Sequence, residues 1–132
     1  MLVPCEVAVK CVLPTVRAML AKELMTKHNL KQAETAKLLG VSQPAISLYS
    51  RKIRGKALDL ENDPDVTRLI GNLADSLIGD SLSHKEFIPA FCETCRTIRA
   101  KGLLCKMHKT FDPSINIETC ELCTSINPIR CT

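Results

Sequence analysis

The residues of this chain best suited to chemistry are its cysteines. Eight cysteines occur among 132 residues, and six of them fall between positions 92 and 131. Two thiolates three residues apart can reach one metal ion from a turn or a helix end, so paired CxxC motifs indicate a metal site. The ligand-type residues run C-x2-C-x9-C-x2-H and then C-x2-C-x7-C: Cys92, Cys95, Cys105, His108, Cys120, Cys123 and Cys131.

Two ligand sets are open. The two CxxC pairs, Cys92 with Cys95 and Cys120 with Cys123, could together form one all-thiolate site. Alternatively, Cys105 and His108 could complete a mixed site with the first pair, which would leave the last three cysteines for another role. We favour the two pairs, with Cys105 as a substitute ligand and with His108 and Cys131 as secondary candidates.

The identity of the metal is also open. Zinc is the common occupant of four thiolates in tetrahedral array, but an iron–sulfur cluster also takes four cysteines and tolerates irregular spacing. Arg96 and Thr124 follow the second cysteine of each pair, where zinc ribbons usually have glycine. We therefore expect either zinc or an iron–sulfur cluster, with disulfides as the alternative for a hyperthermophilic protein.

The segment that carries the last cysteines lacks the pattern of a packed element. Residues 111–132 show no sustained apolar period and are interrupted by Pro113 and Pro128. Such a segment needs a constraint other than burial. A metal held by both CxxC pairs would tie it to the helix before it, and loss or oxidation of that metal would release it again.

Apolar periodicity predicts a mainly α protein. The repeat of apolar residues, with Pro14, Ser42 and Asp63 at helix starts and Gly40 and Gly79 at helix ends, indicates helices throughout the first 102 residues. Residues 5–13 fit either a short helix or a strand, and we favour the helix because it would place Cys5, Val9 and Val12 on one face. The predicted helices cover 13–29, 31–40, 42–55, 63–79 and, through a capping box of Ser83 and Glu86, 83–102.

The charge is unevenly distributed. Residues 1–60 contain ten Lys and Arg against four Asp and Glu, a net charge of +6, whereas residues 61–132 have a net charge of −2. The first half therefore suits a polyanionic partner and the second half does not.

The spacing of Ala36, Gly40 and Ile46 predicts two helices that cross closely at a tight turn. A small residue allows the contact, glycine can take a positive φ, and a β-branched residue fills the space between the helices. In a helix-turn-helix, the second helix presents its N-terminal residues to the DNA major groove and the first helix spans the backbone. The sequence therefore predicts a DNA-binding unit over residues 30–55.

The residue types at the start of the second helix suit base contacts. Gln43 can pair with adenine, Ser47 can donate or accept a hydrogen bond, and Ala45 can touch a thymine methyl group. Gln32 is placed to contact phosphate, and the basic residues that follow would supply salt-sensitive attraction to the backbone. The predicted DNA-binding residues are Gln32, Ser42, Gln43, Pro44, Ala45, Ser47, Tyr49, Arg51, Lys52 and Arg54.

The same run resembles a known family. "LKQAETAKLLGVSQPAISLYSRKIRG" resembles the Cro and phage-repressor type (XRE) helix-turn-helix family, with Gln32 and "LGVSQPAIS" in their typical places. The preceding residues 4–30 are similar to a group of archaeal predicted transcriptional regulators, some of which have a Cys-rich C-terminal extension. The resemblance covers about residues 1–56. It implies an all-helical DNA-binding unit, sequence-specific operator binding and dimerisation.

Together these patterns predict three parts. A helix-turn-helix DNA-binding domain over 1–60 precedes a linker or dimerisation helix over 61–82 and a Cys-rich metal-binding domain over 83–132. The apolar stripe from Val66 to Ile78 is expected to help pair two subunits, since one recognition helix gains little affinity alone. No apolar run is long enough to span a membrane and no export signal is apparent, so we expect a soluble cytoplasmic protein.

The function that fits is a dimeric transcriptional regulator of double-stranded operator DNA, not an enzyme. Its C-terminal cysteine-ligated metal site would stabilise the fold or sense the redox or metal state. A thiol or metal-dependent redox enzyme is one alternative, with His108 as a base, but no strand-rich thioredoxin-like pattern surrounds the CxxC pairs. Another alternative is an adaptor with a helix-turn-helix fold that has lost DNA binding. The basic residues Arg51, Lys52 and Arg54, which follow the predicted base-contacting residues, argue against it.

Overall fold

The computed structural model describes residues 3–51, 60–79, 84–116 and 118–120. These residues form seven α-helices and one π-helical segment, and no strand occurs among them, which confirms the prediction of a mainly α protein. The bounds are α1 Pro4–Val7, the π-helical segment Ala8–Val12, α2 Leu13–Thr26, α3 Gln32–Leu39, α4 Gln43–Ser50, α5 Pro64–Ile78, α6 His84–Ala100 and α7 Cys105–Phe111.

The N-terminal residues form continuous helix, because α1, the π-helical segment and α2 follow one another from Pro4 to Thr26. The expected helix is therefore present. The prediction that Val9 and Val12 lie on the same face was wrong, because Val9 is 62% exposed and Val12 is 0% exposed. A π-helical turn bonds residue i to residue i+5, and this changes the angular spacing of the side chains. The buried side chains of this stretch are Val7, Ala8, Cys11 and Val12.

Helix α2 is central, with α3, α4 and α5 all packed against it. The main core combines Val12 and Leu20 with Ile70 of α5 and with Ile98 and Leu104 at the end of α6 and before α7. One core thus takes side chains from all three predicted parts of the chain. The division into 1–60, 61–82 and 83–132 stays a prediction.

Helix α5 begins and ends where the sequence indicates. The side-chain Oδ1 of Asp63 accepts hydrogen bonds from the backbone N–H groups of Asp65, at 3.1 Å, and Val66, at 3.2 Å, and the helix ends at Ile78 before Gly79. Within the predicted stripe, Val66, Ile70 and Leu73 are at most 5% exposed in the single chain. Those three side chains form the intramolecular core and are not available to a second subunit.

Helix α6 runs through Pro89 without interruption. Proline lacks the N–H that would bond to the carbonyl four residues earlier, so its effect is confined to the first turns of the helix. Of the predicted capping box, Ser83 lies outside the described residues, and Glu86 lies in the first turn. Two residues after the end of α6, Gly102 has a φ of 73°, in the left-handed region.

Candidate functional site

Helices α3 and α4 are joined by only Gly40, Val41 and Ser42. Gly40 has a φ of 66°, in the left-handed region, and its N–H bonds the carbonyl groups of Ala36 and Lys37. The hydroxyl of Ser42 accepts a hydrogen bond of 3.2 Å from the N–H of Ala45 and caps the N-terminus of α4. The turn is therefore specified locally, by a glycine that tolerates positive φ and by a capping serine.

A small cluster of buried side chains connects α3 and α4 to α2. Ile46 is 0% exposed and Ala36 is 5% exposed, and both belong to a second core cluster with Ala21 of α2. The expected apolar plug is confirmed at Ile46. Small residues on α2 and α3 let the three helices approach closely around it.

Two of the predicted DNA-binding residues are buried. Ala45 is 6% exposed and Tyr49 is 8% exposed, because positions 45, 46 and 49 share the face of α4 that packs on α2 and α3. The predicted contacts of Ala45 and Tyr49 with DNA require exposed side chains, and the structure buries both. Residues on the buried side of an eight-residue helix cannot also reach a groove.

The remaining predicted residues lie on the open side of this unit. Ser42, Gln43, Pro44 and Arg51 are exposed, whereas Gln32 and Ser47 are half-buried. Lys52 and Arg54 lie outside the described residues. The predicted helix end near Gly55 was wrong, because α4 ends at Ser50 with Arg51 as its C-cap.

The sequence reasoning missed two cations beside α3. Lys31 and Lys37 are exposed, and together with Arg51 they outnumber Glu34, the single acidic residue of positions 31–51. None of these three cations forms an ion pair with another described residue. The sequence feature that could have identified them is a lysine near each end of the helix that precedes the turn.

The cysteines of the first CxxC pair lie one turn apart on α6. Cys92 and Cys95 are both half-buried and line the same cavity as Cys5 of α1. Cys105 opens α7, and His108, within the same helix, is 5% exposed. The described residues contain no group of three or more His, Cys, Asp or Glu side chains arranged to hold a metal, so Cys105 and His108 do not assemble with the first pair here.

The second pair is only partly described. Cys120 is half-buried, whereas Cys123 and Cys131 lie outside the described residues. The all-thiolate set of Cys92, Cys95, Cys120 and Cys123 therefore stays a prediction.

Cys11 serves packing and not chemistry. It is 1% exposed, and burial raises the pKa of its thiol, an effect that the charge of Lys10 only partly opposes. A neutral buried thiol is a poor nucleophile and a poor metal ligand. Cys11 belongs to the main core, and Cys5 is half-buried at the cavity.

No protein-family model matches this chain, and neither a curated protein nor a solved structure matches it. In the part of the chain that the structure describes, none of the helices combines the length and the apolar character that crossing a bilayer requires.

Proposed function

We propose that this chain is a sequence-specific DNA-binding transcriptional regulator that acts as a homodimer in the cytoplasm, with α4 as its recognition helix. The observation that carries the proposal is the pair α3 and α4. A three-residue turn joins them, Ile46 holds them on α2, and the N-terminus of α4 remains exposed. This is the arrangement that a helix-turn-helix needs to enter a major groove.

The chemistry of the exposed residues supports the same function. Gln43 at the first position of α4 can make a bidentate contact with adenine. Lys31, Lys37 and Arg51 form no ion pair with described residues, so their charge is available to phosphates. The resemblance to the XRE-type family is consistent with DNA binding. Membership of that family stays a prediction.

We expect a homodimer because a single helix-turn-helix has low affinity for DNA. One short recognition helix contacts only a few base pairs, and helix-turn-helix proteins gain affinity by placing two such helices on half-sites one helical turn apart. The operator should therefore be approximately palindromic. Sedimentation of the complex would report two protein chains for each duplex.

We propose in addition that the two CxxC pairs hold zinc or an iron–sulfur cluster. Cys92 and Cys95 lie one turn apart on α6, so their thiolates can reach one ion, and Cys120 is half-buried rather than fully exposed. The bound group would fasten the C-terminal residues to α6 and would make the regulator responsive to metal supply or oxidation.

The DNA proposal is tested by selecting a binding site from random duplexes and then titrating it at several salt concentrations. We expect Gln43→Ala to lose about 1–3 kcal/mol on the selected site and almost nothing on a scrambled duplex. Arg51→Ala should weaken both duplexes alike and reduce the slope of log K against log salt by about 1.

The control for Arg51→Ala is Lys106→Ala, which removes an exposed cation on α7, distant in sequence from the proposed interface. Its affinity and salt slope should equal those of the wild type. Failure to select any duplex would refute DNA binding, and equal losses for Gln43→Ala on both duplexes would remove Gln43 from base readout.

A further inference from the structure

A cavity of about 480 Å³ lies between the N-terminal helical segment and α6. Val9 and Leu13 line it from one side, and Ile88, Phe91, Arg96 and Arg99 line it from the other. Its volume falls in the range of roughly 300–1,000 Å³ that small-molecule sites occupy. The predicted DNA-binding residues take no part in this cavity.

The apolar part of the cavity has side chains that nothing described covers. Val9 is 62% exposed and Ile88 is 53% exposed, and they are among the most exposed large apolar residues of the described chain. They line opposite sides of the cavity, so an apolar ligand bound between them would bury both side chains. Val9 lies within the π-helical segment Ala8–Val12, and π-helical turns are frequent at functional sites.

Both of the described charged residues that line the cavity are arginines, and one of them, Arg96, already pairs with Glu93. Among the described residues that line it, Arg96 and Arg99 are the only charged ones, and no carboxylate is present. Arg99 is 3% exposed, and its Nη1 lies 3.8 Å from Sγ of Cys5. Arg96 bonds Glu93 through Nη2, whereas its Nε is buried without a hydrogen-bond partner among the described residues.

The apolar and cationic parts are arranged along one helix. Ile88 and Arg99 are eleven residues apart on α6, which is about 16 Å at a rise of 1.5 Å per residue. The lining therefore changes from apolar near the start of α6 to cationic near its end, with the thiols of Cys92 and Cys95 between. An elongated molecule with an apolar chain and one anionic end matches this gradient.

We propose that this cavity binds a small apolar carboxylate, with its chain between Val9 and Ile88 and its carboxylate at Arg96 and Arg99. Guanidinium groups pair with carboxylates through two parallel hydrogen bonds. The binding is assigned to the chain without a metal at Cys92 and Cys95, because these two residues line the same cavity. The inference goes beyond the proposed DNA binding and does not rest on it.

Titration calorimetry of the full-length protein tests the proposal with three probes. The protein is first freed of metal with a chelator, because a metal at Cys92 and Cys95 would occupy part of the cavity. Decanoate should bind saturably with one molecule per chain. Decanol, which keeps the chain but lacks the charge, should bind at least tenfold more weakly, because a hydrogen bond to a charged group contributes about 1.5–3 kcal/mol. Acetate, which keeps the charge but lacks the chain, should not bind detectably.

Two pairs of variants connect the binding to the cavity. Val9→Trp should fill the cavity and abolish decanoate binding, whereas Val3→Trp, at a residue that is 54% exposed and does not line the cavity, should leave it unchanged. Arg96→Gln should weaken decanoate by about tenfold and leave decanol unchanged, whereas Lys85→Gln, on the exposed part of α6, should affect neither.

Circular dichroism of each variant confirms that it is folded before the titrations are compared. Equal affinity for decanoate and decanol would overturn the assignment of the anionic end. Absence of decanoate binding, or wild-type binding by a folded Val9→Trp variant, would overturn the site itself. Because the titrations contain no DNA, these outcomes are independent of the proposed regulatory function.

Discussion

The ammonium group of Lys101, just beyond the last residue of α6, lies 2.9 Å from Oδ1 of Asp63, the residue that caps the N-terminus of α5. Lys101 also donates to Asp65 in the first turn of α5. One cation therefore links the end of one helix to the start of another, where the helix dipole also favours the two carboxylates.

This link predicts a particular dependence of stability on pH. The hydrogen bond from Lys101, followed by that from the Val66 N–H, holds the pKa of Asp63 below its ordinary value of 3.8. A lowered pKa stabilises the fold above the ordinary value, and the contribution is lost as the pH falls through the lowered one. The bonds to Asp65 and Asp63 raise the pKa of Lys101 above 10.5, so its contribution is lost only as the pH rises beyond that value.

We expect Lys101→Met to lower the melting temperature slightly between about pH 5 and pH 9, and to have little effect below the lowered pKa of Asp63. The effect is small because the groups are solvent-accessible and screened. Thermal melts followed by circular dichroism across this range measure it, with Lys106→Met as the control for removal of an exposed cation. A difference that does not change with pH would contradict the role of the ion pair.

The turn between α3 and α4 predicts opposite effects for two glycine substitutions. Gly40 has a φ of +66°, and a Cβ added there would meet no atom within 4 Å, so Gly40→Ala is penalised by backbone conformation alone. We expect it to lose about 1–2 kcal/mol of unfolding free energy, and Gly40→Asn to lose less. Urea denaturation of each variant measures these differences.

Gly71 supplies the matched control for that measurement. It lies inside α5, and an added Cβ would also meet no atom within 4 Å. Because alanine is the better helix former, Gly71→Ala should stabilise the protein by up to about 1 kcal/mol. If both substitutions shift stability in the same direction, the left-handed geometry of Gly40 is not what the turn depends on.

The burial of Ile46 predicts a graded loss of stability. Ile46→Val should lower the free energy of unfolding by about 0.5–1.5 kcal/mol and Ile46→Ala by about 2–5 kcal/mol, because the cluster beneath α4 would be left with a cavity. Ile78→Ala, at a residue that is 39% exposed, should cost much less. Comparable losses at positions 46 and 78 in urea denaturation would contradict the plug between the helices.

Features with a local cause could be predicted from the sequence. Gly40 at the turn and Asp63 at the start of α5 are examples, because a left-handed glycine and a capping carboxylate act within a few residues of their own position. The pairing of Cys92 with Cys95 is also local, since residues three apart on a helix share a face.

Features that depend on how helices dock could not be predicted in the same way. The burial of Ala45 and Tyr49 depends on which face of α4 meets α2, and apolar spacing in eight residues leaves several faces open. Val9 was misassigned because apolar spacing alone does not show which side of the N-terminal helix packs on the core, and that side carries Val7, Ala8, Cys11 and Val12. The cavity beside Arg99 needs α6 to lie against the N-terminal segment, a long-range contact that local pattern does not contain.

The cysteines supply the last prediction, which separates the two ligand sets. Protein purified without oxygen should contain a stoichiometric metal: colourless with zinc by elemental analysis, or brown with absorbance near ~400 nm for an iron–sulfur cluster. If the all-thiolate set is correct, Cys92→Ser and Cys120→Ser should lose the metal, whereas Cys105→Ser and His108→Gln should retain it. Cys11→Ala, which removes a buried thiol of the core, should retain it as well. Loss of metal from Cys105→Ser and His108→Gln, with retention in Cys120→Ser, would instead support the mixed site, although the described residues do not bring those ligands together.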